Sequence, residues 1–177
     1  MKLLICDKDG TLITPASDAK FVAEPWDQKP LPGVENKLAE YAASGWEICI
    51  ASNQGGVAAS HKSLENCILE MKFCIQLFPV INNAYFCPDF EGNTCWQVWD
   101  TCQEEEGHRI LHGDRTNPHL KGLFRKPNAG MLLAAMGEFG AEEAIYIGDR
   151  PEDEGAGVAA KIPFFWASDF FGGSNGQ

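Results

Sequence analysis

The sequence predicts an α/β fold, three layers deep, built on a mostly parallel central sheet. Short apolar runs alternate with stretches of helical periodicity along most of the chain, the pattern of successive strand–helix–strand units. The first of these runs, Leu3-Leu4-Ile5-Cys6, is apolar without alternation, as in a strand covered on both faces. Three of the runs also deliver polar groups at their C-terminal ends: Asp7 and Asp9, then Ser52-Asn53-Gln54, then Asp149 with Asp153 four residues on. In a parallel sheet these ends share one edge, the edge at which open α/β sheets place their ligands.

Residues 3–6 form the first strand, and Gly10 lets the backbone turn tightly behind it. Residues 14–32 are rich in Pro, Asp and Lys with isolated Phe21 and Trp26, which reads as a long loop or flap beside the strand end. Pro32-Gly33 opens a helix with Val34, Leu38 and Tyr41-Ala42 on one face, stopped by Gly45. Residues 46–51 are the second strand. Val57, His61, Leu64, Ile68, Met71, Ile75 and Phe78 recur at steps of four and three and predict a helix over 57–78. His61 on that stripe reads as a core or boundary histidine rather than a ligand. Ala84-Tyr85-Phe86-Cys87 is a third strand. Residues 88–124 show no clear periodicity and are dense in Cys, His, Trp and charge, an insertion at the rim. A helix over 127–139, a strand over 144–148, a short helix over 152–160 and a strand over 163–166 complete the pattern. The expectation is one domain over residues 1–177 without a separate cap domain.

Apolar residues make up 45% of the 177 and charged residues 22%, a composition typical of soluble globular proteins. No run approaches membrane-spanning length, and Met1-Lys2 with four apolar residues reads as too short for a signal peptide. The seven cysteines are an odd number scattered through apparent strands and helices, which reads as buried free thiols in a reducing cytoplasm. The net charge of −11 disfavours non-specific binding to nucleic acid or membrane, and no obligate protein partner is expected. The segment 107–126 departs from this balance: Arg109, Arg115, Lys121, Arg125 and Lys126 face a single acid, Asp114, among three histidines. An anionic ligand and a solvated loop account for it equally well.

Asp7 and Asp9 lie two residues apart, and in extended backbone such side chains point the same way. Two anions that close repel unless a cation lies between them or one holds a proton. Ligands that are all oxygen favour Mg2+. The same edge gathers Lys126 at a loop-to-helix junction, Asp149 and Asp153. These types suit phosphomonoester hydrolysis, which needs a nucleophile, a proton donor to the leaving oxygen and positive charge around the phosphoryl group. Asp7 can attack as a carboxylate and form an aspartyl-phosphate. Asp9 can protonate the leaving alcohol and then take a proton from the hydrolytic water, a task that calls for a raised pKa, which its like-charged neighbour would promote. Lys126 and the Ser52 hydroxyl can hold phosphoryl oxygens. Singly, Lys126 reads as a surface lysine and Ser52 as a turn residue; with Asp7 and Asp149 they make a constellation.

The four motifs, Asp7-Lys8-Asp9-Gly10-Thr11-Leu12, Ser52, Lys126 and Gly148-Asp149-Arg150-Pro151-Glu152-Asp153, resemble in order those of the haloacid dehalogenase superfamily of phosphohydrolases. Ser52-Asn53-Gln54-Gly55-Gly56 and Arg125-Lys126-Pro127-Asn128-Ala129-Gly130-Met131 resemble one branch of it, which holds histidinol-phosphate phosphatase, heptose bisphosphate phosphatase and the polynucleotide kinase 3′-phosphatase domains. The resemblance implies a Rossmann-like three-layer sandwich and Mg2+ held by Asp7, the Asp9 backbone carbonyl and Asp149. It implies that Thr11, Asn53 and Arg125 lie near substrate, with loop bracing as the alternative for Asn53 and Arg125. Asp153 would support the site by orienting Lys126 or a water.

Many members of the branch carry a zinc site in the loop before Arg-Lys-Pro. This chain has Asp89 where a histidine would follow Cys87, and Gly122-Leu123-Phe124 in place of the closing cysteine pair. Cys87, Cys95, Cys102 and His108 still offer three sulfurs and a nitrogen, chemically suited to zinc, but their spacings match no standard finger, and free thiols are favoured. The expected activity is Mg2+-dependent hydrolysis of a small phosphorylated metabolite, of the histidinol-phosphate or sugar-phosphate type. Action on nucleic-acid 3′ ends is the alternative, and no P-loop kinase motif is present.

Overall fold

The structure, a computed structural model, describes residues 1–101 and 109–172. Its elements run β1 (Lys2–Cys6), β2 (Ile13–Thr14), β3 (Lys29–Pro30), α1 (Val34–Ala43), β4 (Trp46–Asn53), α2 (Leu64–Leu77) and β5 (Asn83–Cys87). β6 (Trp96–Thr101), β7 (Arg109–Asp114), a 3-10 turn at Pro118–Leu120, α3 (Gly130–Phe139), β8 (Glu143–Gly148), α4 (Pro151–Ala160), β9 (Phe164–Trp166) and α5 (Ala167–Gly172) follow. Seven strands form one sheet in the order β7-β6-β5-β4-β1-β8-β9. β1 pairs in parallel with β4 on one side and β8 on the other, and β5 and β9 extend the parallel set outward. The chain therefore leaves β1 in one direction and returns for β8 in the other. The switch in strand order falls at β1, where a crevice opens beyond the strand ends.

Two apolar cores sandwich the sheet. Leu4, Cys6, Ile48, Ile50 and Phe86 meet Leu38 of α1 and Met71 of α2 on one face. Leu3, Ile5, Cys49, Ala51 and Tyr85 meet Leu132 of α3 and Ala156 of α4 on the other. Alternate residues of β1 thus feed opposite layers, and the strand has no polar face because it has no solvent face.

Several boundaries differ from the sequence expectation. α2 begins at Leu64 rather than residue 57, because the Ser63 hydroxyl caps it by accepting the Asn66 N–H at 3.0 Å. Val57 to Lys62 is a run of turns, and His61 is exposed and off the helix. α3 begins at Gly130, after a turn whose Gly130 N–H returns to the Leu123 carbonyl. The largest correction concerns residues 88–124. Within them β6 extends the sheet antiparallel to β5, and β7 pairs antiparallel with β6 at the sheet edge. Their period-2 signal is masked because Gln97, a polar residue, is fully buried beside the buried Val98. Its amide bonds Asn83, Tyr85 and Glu138, and its carbonyl accepts from Arg115.

Six of the seven cysteines, Cys6, Cys49, Cys67, Cys74, Cys87 and Cys95, are buried free thiols. Burial pushes Cys67 and Cys74 up to about 12, which keeps them protonated and unreactive. Cys102 and His108, half of the candidate zinc set, lie outside the described residues. Asp89 organises its loop by hydrogen bonding: its carboxylate accepts the N–H groups of Asn93 and Thr94 and the Thr94 hydroxyl. The Gly92 carbonyl then accepts from Gly122 and Phe124, tying this loop to the segment that enters Lys126. Among the described residues, no helix is long and apolar enough to cross a membrane.

The loop over 15–28 is anchored by Asp27, whose carboxylate accepts the N–H groups of Ser17 and Ala23 and the Ser17 hydroxyl. The hydrogen bonds from Ser17 hold Asp27 below its usual value of 3.8, so this anchoring is complete above pH 3.8 and is lost as pH falls through the lower folded value. The Asp27→Asn variant is expected to be cut faster by trypsin at Lys20 near neutral pH. Ser63→Ala is expected to lower stability by about 1 kcal/mol in urea unfolding, the usual worth of such a cap.

Candidate active site

Asp7 lies just beyond β1, its N–H donating to the Ile147 carbonyl at 2.9 Å, so the strand pairing itself sets its position against β8. Asp149 lies just beyond β8. Gly10 holds a left-handed φ of 83°, and a Cβ there would fall 2.3 Å from Asp149 Oδ2. Only glycine allows both the turn and this approach. The Thr11 hydroxyl lies 3.4 Å from Asp149 Oδ1.

Lys126 is the hub. Its side chain is 3% exposed, and its ammonium reaches Asp7 Oδ1 at 2.7 Å, Asp153 Oδ1 at 2.6 Å, the Tyr146 hydroxyl at 2.9 Å and the Ala51 carbonyl at 3.0 Å. Three N–H groups shared among four acceptors hold it in one place. The Asn53 carboxamide clamps its backbone, donating to the Lys126 carbonyl and accepting its N–H, both at 3.0 Å. Asp153 is saturated: Oδ1 accepts from Lys126 and Tyr146, and Oδ2 accepts the N–H groups of Asp149 and Arg150. Gly148 makes room for this, since a Cβ there would lie 2.3 Å from that of Asp153.

Asp7, Asp149 and Asp153 place carboxylate oxygens within 4.8 Å of one another. Three negative charges surround one buried lysine. Burial pushes Asp7 up to about 6 against the pull of Lys126, with Asp153 adding to the rise. Burial also raises Asp149, and Asp153 raises it further against Arg150. Burial alone would lower Lys126, but Asp7 and Asp153 prevail and hold it above its usual value. The uncompensated negative charge and the all-oxygen donors fit a hard divalent cation. With Asp153 fully engaged, Asp7 and Asp149 would be the carboxylates left to hold such an ion.

Asp9 departs from expectation. Burial pushes its pKa up, but Lys8 at 2.8 Å from Oδ1 and the Gln54 amide at 2.9 Å from Oδ2 outweigh it, and the carboxyl is held below its usual value. The like charge on Asp7 is not the dominant influence because Lys8, wholly buried, sits against Asp9. The Gln54 amide also donates to the buried Ser52 hydroxyl at 3.0 Å, linking Ser52 to Asp9. Arg125 lies over the Phe90 ring at 5.2 Å, beside Gly55, and donates to the Asp89 carbonyl at 3.5 Å. A cleft of about 350 Å3 opens beside Asp149, lined by Gly10, Thr11, Pro32 and Trp166.

Asp7, Asp149, Asp153, Lys126 and Thr11 are thus brought together, Asp9 and Ser52 are joined through Gln54, and Asn53 acts on the Lys126 backbone. Sequence reading missed Tyr146, hidden in an apolar strand, and the part played by Lys8, whose position between two aspartates is its only signal.

Three relatives place the chain. The family model described as polynucleotide kinase 3 phosphatase matches residues 2–161. A D-glycero-beta-D-manno-heptose-1,7-bisphosphate 7-phosphatase of Haemophilus influenzae is 29% identical over 173 residues, 91% of this chain and 78% of that protein. A D-glycero-alpha-D-manno-heptose-1,7-bisphosphate 7-phosphatase of Campylobacter jejuni is 27% identical over 167 residues, again 91% and 78%. The crystal structure of D,D-heptose 1.7-bisphosphate phosphatase from B. bronchiseptica, complexed with magnesium and phosphate, shares the fold at TM-score 0.65 and 22% identity, covering 93% of this chain and 79% of that one. With a family model matching most of the chain and the site motifs assembled on one sheet edge, the chain belongs to the polynucleotide kinase 3 phosphatase family and is a phosphoric monoester hydrolase of the haloacid dehalogenase superfamily.

Proposed function

We propose that this enzyme is a Mg2+-dependent phosphatase of small sugar phosphates, of the heptose 1,7-bisphosphate type, working through an aspartyl-phosphate on Asp7. The observation that carries the reading is the buried lysine set between Asp7 and Asp153 with Asp149 alongside, an excess of negative charge facing one lysine. Asp7 and Asp149, with the Asp9 carbonyl, would hold Mg2+, which when bound offsets the charge of nucleophile and phosphate. The relatives' names support the substrate class, and a net charge of −11 disfavours nucleic acid.

Lys126 holds one Asp7 oxygen, leaving the other to attack phosphorus in line with the departing alcohol. Asp9 gives its proton to the leaving oxygen, then takes one from the water that cleaves the aspartyl-phosphate. Its depressed pKa in the free site would rise as substrate phosphate adds negative charge nearby. Lys126 and the Ser52 hydroxyl hold phosphoryl oxygens as charge spreads over them. Asp153 and Tyr146 keep the ammonium aimed, and Asn53 keeps its backbone in place. Arg125 and Thr11 would meet the substrate at the rim.

Phosphate release in the presence of Mg2+ from heptose 1,7-bisphosphate, histidinol phosphate and a 3′-phosphorylated oligonucleotide, at matched concentration, tests the reading. Preference for the heptose bisphosphate is expected, and preference for the oligonucleotide would overturn it. Asp7→Asn is expected to abolish turnover while the melting temperature stays at or above that of the wild type. The change removes the nucleophile and one of the excess negative charges around Lys126. Retained activity in that variant would refute the nucleophile assignment.

A further inference from the structure

We propose that Glu70, on α2, is a positioning residue for Asp9, acting through Lys8, Lys62 and Gln54. The inference rests on the reading of Asp9 as the proton donor and acceptor. Glu70 is the one charged residue among those α2 buries, on a face otherwise made of Cys67, Ile68, Met71, Cys74 and Ile75. Its carboxylate meets Lys62 at 2.6 and 2.8 Å and Lys8 at 3.7 Å. Lys8 meets Asp9 Oδ1 at 2.8 Å. Lys62 donates to Gln54 Oε1 at 3.3 Å, and Gln54 donates to Asp9 Oδ2 at 2.9 Å. The contacts close a ring, Glu70–Lys8–Asp9–Gln54–Lys62, in which two acids balance two lysines. Both oxygens of Asp9 are held, each by a different arm that leads back to Glu70.

Stability alone does not account for such a ring. Buried ion pairs are often replaceable by apolar side chains of similar volume with no loss of stability, and the rest of this face of α2 is apolar. What the ring adds is orientation, and both arms end on one carboxylate beside the nucleophile. The Gln54 arm also holds the Ser52 hydroxyl, so the same anchor serves a second site residue. The loop over 15–28 joins the same point of α2, where the Gln28 amide donates to the Glu70 carbonyl at 3.1 Å.

A displaced Asp9 leaves a signature that general damage to the site does not. p-Nitrophenyl phosphate has a leaving group that departs without a proton, so its cleavage needs Asp7 and Lys126 but no acid. Hydrolysis of the resulting aspartyl-phosphate still needs the base. Stopped-flow release of p-nitrophenolate is therefore measured for wild type, Glu70→Gln, Lys62→Met and Asp9→Asn. Lys62→Met breaks the Gln54 arm of the ring and leaves Glu70 with Lys8 as its partner, whereas Glu70→Gln removes the acid that joins both arms.

For Glu70→Gln and Lys62→Met the first-turnover burst is expected to stay within about threefold of the wild-type rate, while steady-state kcat falls about tenfold or more, part of the range that acid–base catalysis spans. The kcat/KM for the nitrophenyl ester, which reports only the steps up to the burst, is expected to stay unchanged, so KM falls in step with kcat. A burst and steady state that slow by the same factor in both variants would overturn the proposal, because the damage would then lie with the nucleophile or the fold. An unchanged steady state in both would overturn it as well. Asp9→Asn separates the two readings: a preserved burst with slow turnover upholds the role of Asp9 whatever Glu70 does, and a lost burst removes the basis for both.

Discussion

One buried contact organises the rest of this protein: the ammonium of Lys126 held between Asp7 and Asp153. A lysine and two aspartates taken out of water are costly unless each is paired and hydrogen-bonded. Here the pairing joins three separate parts of the chain, the end of β1, the approach to α3 and the first turn of α4. The sheet edge supplies the acids and the loop before α3 supplies the cation. Every local feature around them can be read as serving that meeting. Asn53 clamps the backbone of Lys126, Tyr146 hydrogen-bonds its ammonium, and Gly10 and Gly148 leave space where a methyl group would collide with an aspartate.

The same contact leaves charge uncompensated. Asp149 adds a third carboxylate to a lysine already shared by two. On the proposed reading that imbalance draws a divalent cation, which when bound would offset the charge of both nucleophile and phosphate. The raised pKa of Asp7 comes first from its burial, with Asp153 adding to it against the pull of Lys126.

A second polar layer lies beside the first. Around Asp9 the charges balance, because Lys8 and Lys62 offset Asp9 and Glu70. On the proposed reading, the contrast between an unbalanced cluster around Asp7 and a balanced one around Asp9, two residues apart just beyond β1, gives two carboxylates of identical chemistry two roles.

The sequence by itself determined the layered α/β plan, the strand ends that carry Asp7, Asp9, Ser52 and Asp149, and the placing of Lys126 at a junction. These follow from local signals: apolar runs, helical spacing and polar residues where the runs stop. Only the tertiary structure decided what depends on partners distant in the chain. β6 joins the sheet with Gln97 buried, because Gln97 finds partners on β5, α3 and beyond β7. α2 starts late because Ser63 caps it, which puts His61 in solvent. Asp9 has a lowered rather than a raised pKa because Lys8, its neighbour in sequence, folds inward toward Glu70 on a helix sixty residues further along. Charge type can be read from a chain, but electrostatic environment is set by distance and burial, and those exist only once the chain has folded.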